Sequence, residues 1–312
     1  MNRFLLIAIA FIGVTTANPF ISPQAFGELE ALRTEHFVIQ TDVEREKRQY
    51  YARLCEGFYG YIAANFFVPE LRGPLTVYVF RNAAGYERFR AQTEKSPETP
   101  YGFYDSQQYF VAISTETGIG TTLHELAHPM LEGFLKRHVP WINEGFPMFF
   151  EKTLGYINAQ GVLRASFGYF SPWRFRETKK VIEQIHFPEY LRDFDRESDQ
   201  GKFKSAGRSL ALFLHKRGLL KRYLYALRDD PSDQYGDQTL ERVFRLPLNE
   251  IETHWKRWFL ASQQDPDVDL VQESIIFNSA ADWEQWLRSQ QPPLVWNEGE
   301  AIYKIRENNR SQ

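Results

Sequence analysis

Cysteine is nearly absent from this chain, which has Cys55 as its single thiol in 312 residues. No internal disulfide can form, and the apolar neighbours of Cys55 at helical spacing predict a buried structural residue. Stability must therefore come from the hydrophobic core, supplemented by a bound metal if one is present. Hydrophobic residues make up 43% of the sequence and aromatic residues 16%, which is ample for such a core.

An excess of charge of one sign is also absent. Lys and Arg number 37, and Asp and Glu number 40, which gives a formal net charge of −3. The basic residues are mixed among acidic ones and form no stripe, so nucleic acid is not an expected partner. The length fits one large domain or two small ones.

Long apolar runs are lacking beyond the N-terminus. Asn2 and Arg3 precede an apolar run of eleven residues, Phe4–Val14, and small residues follow at 15–17. This pattern predicts a cleaved secretory signal peptide over 1–17, with an uncleaved anchor as the alternative. The run is shorter than the roughly twenty residues of a membrane-spanning helix. We expect a periplasmic or secreted bacterial protein with no integral membrane segment after cleavage.

Two histidines and two glutamates carry the strongest functional signal. The segment HELAH, His124–His128, places two imidazoles one turn apart on one helical face, so both can bind one ion. Catalytic zinc typically takes three protein ligands and keeps one position for water. Glu144 is the candidate third ligand, and Glu125 is placed to take a proton from that water. The alternative is an ordinary helix with two histidines on a buried face.

The two motifs have a characteristic separation. Fifteen residues lie between His128 and Glu144, which is part of the segment WINEG. This arrangement resembles the gluzincin zinc metallopeptidases, the superfamily of thermolysin and the aminopeptidase N enzymes, and within it the compact bacterial peptidase MA-like proteins. The resemblance covers roughly residues 33–262. Weaker matches support it at Glu35–Ile39, Pro74–Phe80, Gly85–Phe89 and Gly102–Asp105.

The resemblance implies an α+β fold with a zincin-like (thermolysin-like) catalytic core. It implies one Zn²⁺ per chain on His124, His128 and Glu144, with Glu125 as the general base that hydrolyses a peptide or protein substrate. In the superfamily an edge strand of the sheet lies over the metal cleft, and Tyr109–Thr115 is the candidate here. That strand either binds an extended peptide through main-chain hydrogen bonds or is a plain structural strand.

The pattern along the chain predicts a small mixed sheet with helices first and a mainly helical half second. Strands are predicted at Glu35–Thr41, Leu75–Phe80, Tyr101–Tyr104 and Tyr109–Ser114. Helices are predicted at 43–67, 82–90, 118–137, 143–154, 172–185, 205–217, 218–228, 237–245 and 247–262, with Asp42 and Asn82 as N-caps. The predicted organisation is a signal peptide (1–17), a loose lead-in (18–33), one peptidase MA-like domain (34–262) and a tail (263–312) with a short helix that packs on the body or binds a partner.

Residues beyond the ligands are less determined by the sequence. Superfamily sites often stabilise the oxyanion with a Tyr or His from a segment after the third ligand, but the segment here, Phe203–Arg208, contains no Tyr. Arg208 and His138 are the candidates for that role. In thermolysin-type sites an acidic residue one turn beyond the third ligand supports a ligand histidine. That position is Met148, so Glu151 is the candidate for this support.

Two prolines argue against an efficient catalyst. Pro129 removes a backbone donor and biases His128 away from helical angles, so we expect a kink just past the site or an altered site geometry. Pro147 is harmless only in a first helical turn, which predicts a late start for the second motif helix. The sequence therefore supports an exported zinc metallopeptidase or, alternatively, a catalytically weak or inactive zincin scaffold that binds a peptide or a cell-envelope partner.

Overall fold

Strands and helices alternate in the first half of the chain, and helices dominate the second. A computed structural model describes residues 29–93, 101–194, 200–262, 273–299 and 301–306. Over these residues the fold is α+β, as predicted, whereas its zincin-like core stays a prediction. The predicted signal peptide lies outside the described residues. Within the described ranges, no helix is long and apolar enough to cross a membrane.

A five-stranded mixed sheet forms the first half. Its strands are β1 (Glu30–Arg33), β2 (Phe37–Thr41), β3 (Leu75–Phe80), β4 (Gly102–Asp105) and β5 (Phe110–Ser114). The order across the sheet is β1-β2-β3-β5-β4. The three inner strands are parallel, and the two outer strands are antiparallel to their neighbours. One edge of the sheet is therefore β4.

This strand order differs from the sequence predictions in two places. The segment predicted as the edge strand, Tyr109–Thr115, contains β5, which lies inside the sheet with all its residues buried. The hairpin folds outward, so β4 takes the edge. The lead-in is not loose throughout, because β1 pairs with β2. The residues of β1 are mostly exposed and show no apolar alternation, which is why the sequence pattern missed it.

Four helices accompany the sheet: α1 (Arg45–Asn65), α2 (Ala83–Arg90), α3 (Gly118–Leu135) and α4 (Pro140–Phe149). Asn82 caps α2 as predicted, and its side chain accepts a hydrogen bond from the Gly85 amide at 2.9 Å. Asp42 does not cap α1. Its carboxylate accepts from the backbone amide of Arg81 at 2.7 Å, and so it joins the loops that follow β2 and β3.

The second half is mainly helical, as predicted. Its helices are α5 (Pro172–Val181), α6 (Phe187–Asp193), α7 (Gln200–Lys216), α8 (Leu220–Arg228), α9 (Asp237–Phe244) and α10 (Leu248–Ala261). A hairpin of β6 (Thr153–Ile157) and β7 (Leu163–Phe167) separates α4 from α5. The helix predicted to reach residue 154 is therefore too long, and α6 was not predicted.

The tail folds back on the body. β8 (Ile275–Phe277) pairs in parallel with β6, and α11 (Ala280–Ser289) contains the predicted short helix. β9 (Leu294–Asn297) and β10 (Ile302–Ile305) form a two-stranded ladder. Trp283 of α11 is buried in a cluster with Leu154 and Tyr169. The helix therefore packs on the body.

α3 lies between the sheet and the helical half. Leu123, Leu126 and Met130 of α3 are fully buried in one cluster that extends from the sheet to α7 and α10. Phe134, near the end of α3, stacks on Phe67 with the ring centroids 4.2 Å apart. This packing on both sides fixes the rotation of α3, and with it the direction of the face that carries the histidines.

Candidate metal centre

α3 presents both histidines from one face. Nε2 of His124 lies 3.2 Å from Nε2 of His128. The helix continues through Pro129 and ends only at Leu135. Pro129 and most of its neighbours on α3 are buried, and this tertiary packing offsets the hydrogen bond that proline cannot make. The helix therefore continues past Pro129, and the two imidazoles keep their positions on one face.

The spacing of these nitrogens suits a zinc ion. Two ligands at about 2.0–2.1 Å from a tetrahedral ion are about 3.3 Å apart, and the two Nε2 atoms are 3.2 Å apart. One ligand atom each from His124, Glu125 and His128 lies within 4.8 Å of the others. Donor type and geometry thus both fit a metal ion.

Glu144 lies beside the two histidines, and its two carboxylate oxygens face different partners. Oε2 lies 4.0 Å from Nε2 of His124, and Oε1 accepts a hydrogen bond from Nζ of Lys204 at 2.9 Å. Burial acts to raise the pKa of Glu144, but His128 and Lys204 lower it overall. Glu144 lies outside the compact three-residue group, so ligation requires a shift of its side chain toward the imidazoles.

The helix that carries Glu144 begins earlier than predicted. Pro140 occupies the first turn of α4, where its missing N–H costs nothing, so the late start at residue 143 is wrong. Pro147 consequently lies inside the helix rather than in its first turn. The early start places Glu144 in the middle of α4, between α3 and α7.

Glu151 lies behind His124, where it was predicted to support a ligand. Its Oε1 is 3.4 Å from Nδ1 of His124, a long contact, and Arg174 donates to its two oxygens at 3.1 and 2.6 Å. Gly120, one turn before His124, permits this approach, because a Cβ there would collide with the carbonyl oxygen of Glu151. Nδ1 of His124 forms no hydrogen bond in the described part of the chain. A closer approach of Glu151 would supply the carboxylate contact that orients a ligand ring and leaves Nε2 for a metal.

Burial and neighbouring charge set the ionisation states. Burial raises the pKa of Glu125 to about 7, which suits a general base near neutral pH. Burial lowers the pKa of His128 to about 3, so this imidazole is neutral at neutral pH. Burial also acts to lower the pKa of His124, but the contact with Glu151 and nearby carboxylates raises it overall. Of the two imidazoles, His124 is therefore the one on which a proton competes with a metal ion.

Arg208, a candidate for oxyanion stabilisation, is committed to the backbone. It is 3% exposed. Its Nε donates to the carbonyl of Met148 at 2.9 Å and its Nη2 to the carbonyl of Tyr169 at 2.6 Å. Burial lowers the pKa of Arg208 to about 10, so it keeps its charge. These bonds tie α7 to the segments on either side of the β6–β7 hairpin.

His138, the other candidate for oxyanion stabilisation, lies at the cleft. Its Nδ1 is 2.8 Å from the side-chain nitrogen of Asn143, the residue that precedes Glu144. Both His138 and Asn143 line the same cleft as Glu144. The Asn143 contact orients the imidazole.

A cleft of about 600 Å³ opens beside His128 and Glu144. Tyr104 of β4 forms one wall, with its ring nearly parallel to that of His128 and the centroids 6.4 Å apart. The Tyr104 hydroxyl donates to Glu132 at 2.7 Å, and Arg72 donates to the same carboxylate. This volume is within the range of small-ligand sites in proteins.

Three side chains at this centre were missed in the sequence analysis: Lys204, Arg174 and Tyr104. Lys204 lies in the segment considered for oxyanion stabilisation, one helical turn before Arg208. This i, i+4 spacing from a candidate residue was the signal that could have identified it. Arg174 gave no signal, because its partner Glu151 is 23 positions away in the chain. Tyr104 was noted only as part of the hairpin.

Comparison with known proteins assigns no family. No protein-family model and no curated protein matches this chain. Its function must therefore be inferred from the side chains of the candidate metal centre.

Proposed function

We propose that this chain is an exported, zinc-dependent metallopeptidase of the gluzincin type. The observation that carries the proposal is the pair of Nε2 atoms of His124 and His128, 3.2 Å apart. Glu125 belongs to the same group, and Glu144 lies 4.0 Å from His124. Two imidazoles and one carboxylate are a donor set of catalytic zinc. The apolar N-terminal pattern supports export.

The chain supplies a base at the reacting atoms. Zinc on these ligands would polarise the substrate carbonyl and lower the pKa of a water molecule. Glu125 takes a proton as the water oxygen bonds to the carbonyl carbon and the C=O electron pair moves onto the carbonyl oxygen. The C–N bond then breaks, its electron pair leaves with nitrogen, and Glu125 returns the proton to the amine. Glu125 is unchanged after each turnover.

The edge strand supports a peptide as the substrate. β4 ends the sheet, and Tyr104 on this strand lines the cleft beside His128. An extended peptide binds such an edge by main-chain hydrogen bonds, with side chains in adjoining pockets. We therefore assign substrate binding to β4 rather than to β5.

The test combines metal analysis with one conservative substitution. Protein purified without chelator should contain about one zinc per chain. Glu125→Gln should retain the metal and lose hydrolysis of a mixed peptide library by about 100-fold or more, because amide cannot accept the proton. Glu183→Gln, at an exposed position just after the end of α5, should behave as wild type. Absence of zinc after reconstitution, or full activity of Glu125→Gln, would contradict the proposal.

One observation favours the second candidate, a zincin scaffold that binds a peptide or an envelope partner without turnover. The Lys204 ammonium already neutralises Glu144 at 2.9 Å, so the site is electrostatically balanced without a metal. A wild-type protein that binds library peptides, cleaves none of them and takes up no zinc would establish this alternative.

A further inference from the structure

We propose that Lys204 is the anion-binding residue of the metal centre and donates a hydrogen bond to the substrate oxygen that becomes negative during hydrolysis. This inference rests on the proposed function and assigns the oxyanion donor of the same site. It concerns a residue of α7 that the sequence motifs do not mark.

The packing of α7 on α4 places Lys204 at the ligands. Gly145 lies against the carbonyl oxygen of Gly207, and a Cβ at Gly145 would be 2.6 Å from that oxygen. The two helix backbones therefore approach with no side chain between them. Glu144 and Lys204 flank this contact, and Nζ of Lys204 donates to Oε1 of Glu144 at 2.9 Å.

The charge of Lys204 acts on the whole centre. Together with His128, its ammonium keeps the pKa of the buried Glu144 below its usual value, and it acts against the burial that raises the pKa of Glu125. The geometric contact between this charge and the centre is the 2.9 Å bond to Glu144, whose other oxygen lies 4.0 Å from Nε2 of His124. A substrate oxygen beside these groups lies within the field of the same ammonium.

Lys204 also has donors to spare. An ammonium has three N–H donors, and among the described residues the bond to Glu144 is the only hydrogen bond of this side chain that the structure shows. The Lys204 side chain is 33% exposed and that of Glu144 is 20% exposed. A ligand can therefore reach the ammonium without breaking its bond to Glu144.

Two arginines that pack around the candidate ligands are committed elsewhere. Arg174 is paired with both oxygens of Glu151. Arg208 is buried and donates to two backbone carbonyls. Of these three, Lys204 alone both contacts a candidate ligand and retains exposure.

A cationic donor of this kind stabilises the negative charge that develops on the substrate oxygen. When the water oxygen bonds to the carbonyl carbon, its proton passes to Glu125 and the C=O electron pair moves to oxygen. Lys204 keeps its proton throughout and only donates a hydrogen bond to that oxygen. Charged donors bind an oxyanion more strongly than neutral ones, and this stabilises the charged state over the neutral substrate.

The experiment measures anion binding rather than turnover. Protein loaded with Co²⁺ is titrated with inorganic phosphate and, separately, with neutral imidazole, and the visible absorption of cobalt reports each ligand. In Lys204→Met the Kd for phosphate should rise about tenfold or more, since a charge-assisted hydrogen bond is lost. The Kd for imidazole should stay within about twofold, because imidazole carries no charge for Lys204 to recognise.

Two further variants control for charge and folding. Lys204→Arg retains a cation and should bind phosphate within about threefold of wild type. Lys221→Met removes the same charge at an exposed position of α8 and should leave both titrations unchanged. Thermal unfolding of each loaded variant establishes that the fold is intact.

The outcomes separate this inference from the proposed function. Normal cobalt uptake with equal phosphate affinity in Lys204→Met and wild type would overturn the role of Lys204 and leave the metal site standing. Equal weakening of phosphate and imidazole would also overturn it, because Lys204 would then only position Glu144. A wild-type protein that takes up no cobalt would overturn both proposals.

Discussion

Gly145 of α4 and Gly207 of α7 meet backbone to backbone, at a distance that excludes any side chain at Gly145. A Cβ built there would lie 2.6 Å from the carbonyl oxygen of Gly207 and 3.5 Å from the Cβ of Ala211. This contact sets the distance between the helix of Glu144 and the helix of Lys204. The arrangement of the candidate metal centre thus depends on a residue with no functional group.

Gly145→Ala should therefore destabilise the protein although alanine is the better helix former. The added methyl must push α4 from α7, and overpacking of this kind costs about 1–3 kcal/mol. Urea unfolding gives the measurement. Gly60→Ala is the matched control, because Gly60 is exposed in α1 with nothing within 4 Å of an added Cβ. That variant should be unchanged or more stable by up to about 1 kcal/mol.

Arg174→Met should weaken metal binding without touching a ligand. Without Arg174 the Glu151 carboxylate loses its partner at 2.6 Å, and with it the charge that keeps the carboxylate beside Nδ1 of His124. Loss of such outer support typically costs about 10–100-fold in metal affinity. Competition with a chromogenic chelator measures the Kd for zinc. Arg176→Met, at an exposed position of the same helix, is the control, and equal affinities for the two variants would contradict the role of Glu151.

His215 should contribute a pH-dependent term to stability. Its ring lies on Phe149, with centroids 4.7 Å apart, and burial lowers its pKa from 6.5 to about 4. Between these values the unfolded chain binds a proton that the folded chain does not. The contribution is therefore present above pH 6.5 and is lost as the pH falls toward 4, by an amount on the order of 3 kcal/mol.

Substitution of this histidine provides the test. The free energy of unfolding of wild type, measured in urea from pH 7 to pH 4, should fall more steeply than that of His215→Leu, which has no titrating group there. Asn249→Leu, at an exposed position of α10, removes no titrating group and should keep the wild-type slope. Parallel curves for wild type and His215→Leu would refute the assignment.

Ser274→Ala should destabilise the junction of tail and body. The Ser274 hydroxyl donates to the carbonyl of Glu151 at 2.6 Å and accepts from the amide of Thr153 at 3.1 Å. Its loss should cost about 1–2 kcal/mol in thermal or urea unfolding. Ser289→Ala removes an exposed hydroxyl that donates to Trp286 at 2.7 Å and should change stability by less than about 0.5 kcal/mol.

The sequence predicted the parts of the fold that local rules determine. Helical periodicity placed α3, and an N-cap residue placed the start of α2, because each signal lies within a few residues of its element. The His124–His128 spacing likewise predicted two imidazoles on one face, since a helix brings positions i and i+4 together.

Features that depend on partners distant in the chain were not predictable. The pairing of Arg174 with Glu151 and of Lys204 with Glu144 follows from how α5 and α7 pack, and no local pattern encodes it. The placement of β4 rather than β5 at the sheet edge also depends on such packing. The hairpin pattern in the sequence is the same whichever of its two strands lies at the edge. Pro129 shows the converse, because buried packing overrode a strong local preference.

The pairing of β8 with β6 has a consequence for the order in which the chain is made. Ser274 and Glu151 are 123 positions apart, yet one hydroxyl joins the tail to the residue that supports His124. Synthesis runs from the N-terminus, so the motif residues are complete long before β8 exists. A nascent chain carries all the candidate metal ligands but lacks this brace. The candidate metal centre is therefore completed only after residue 274 has been synthesised, well after its motif residues.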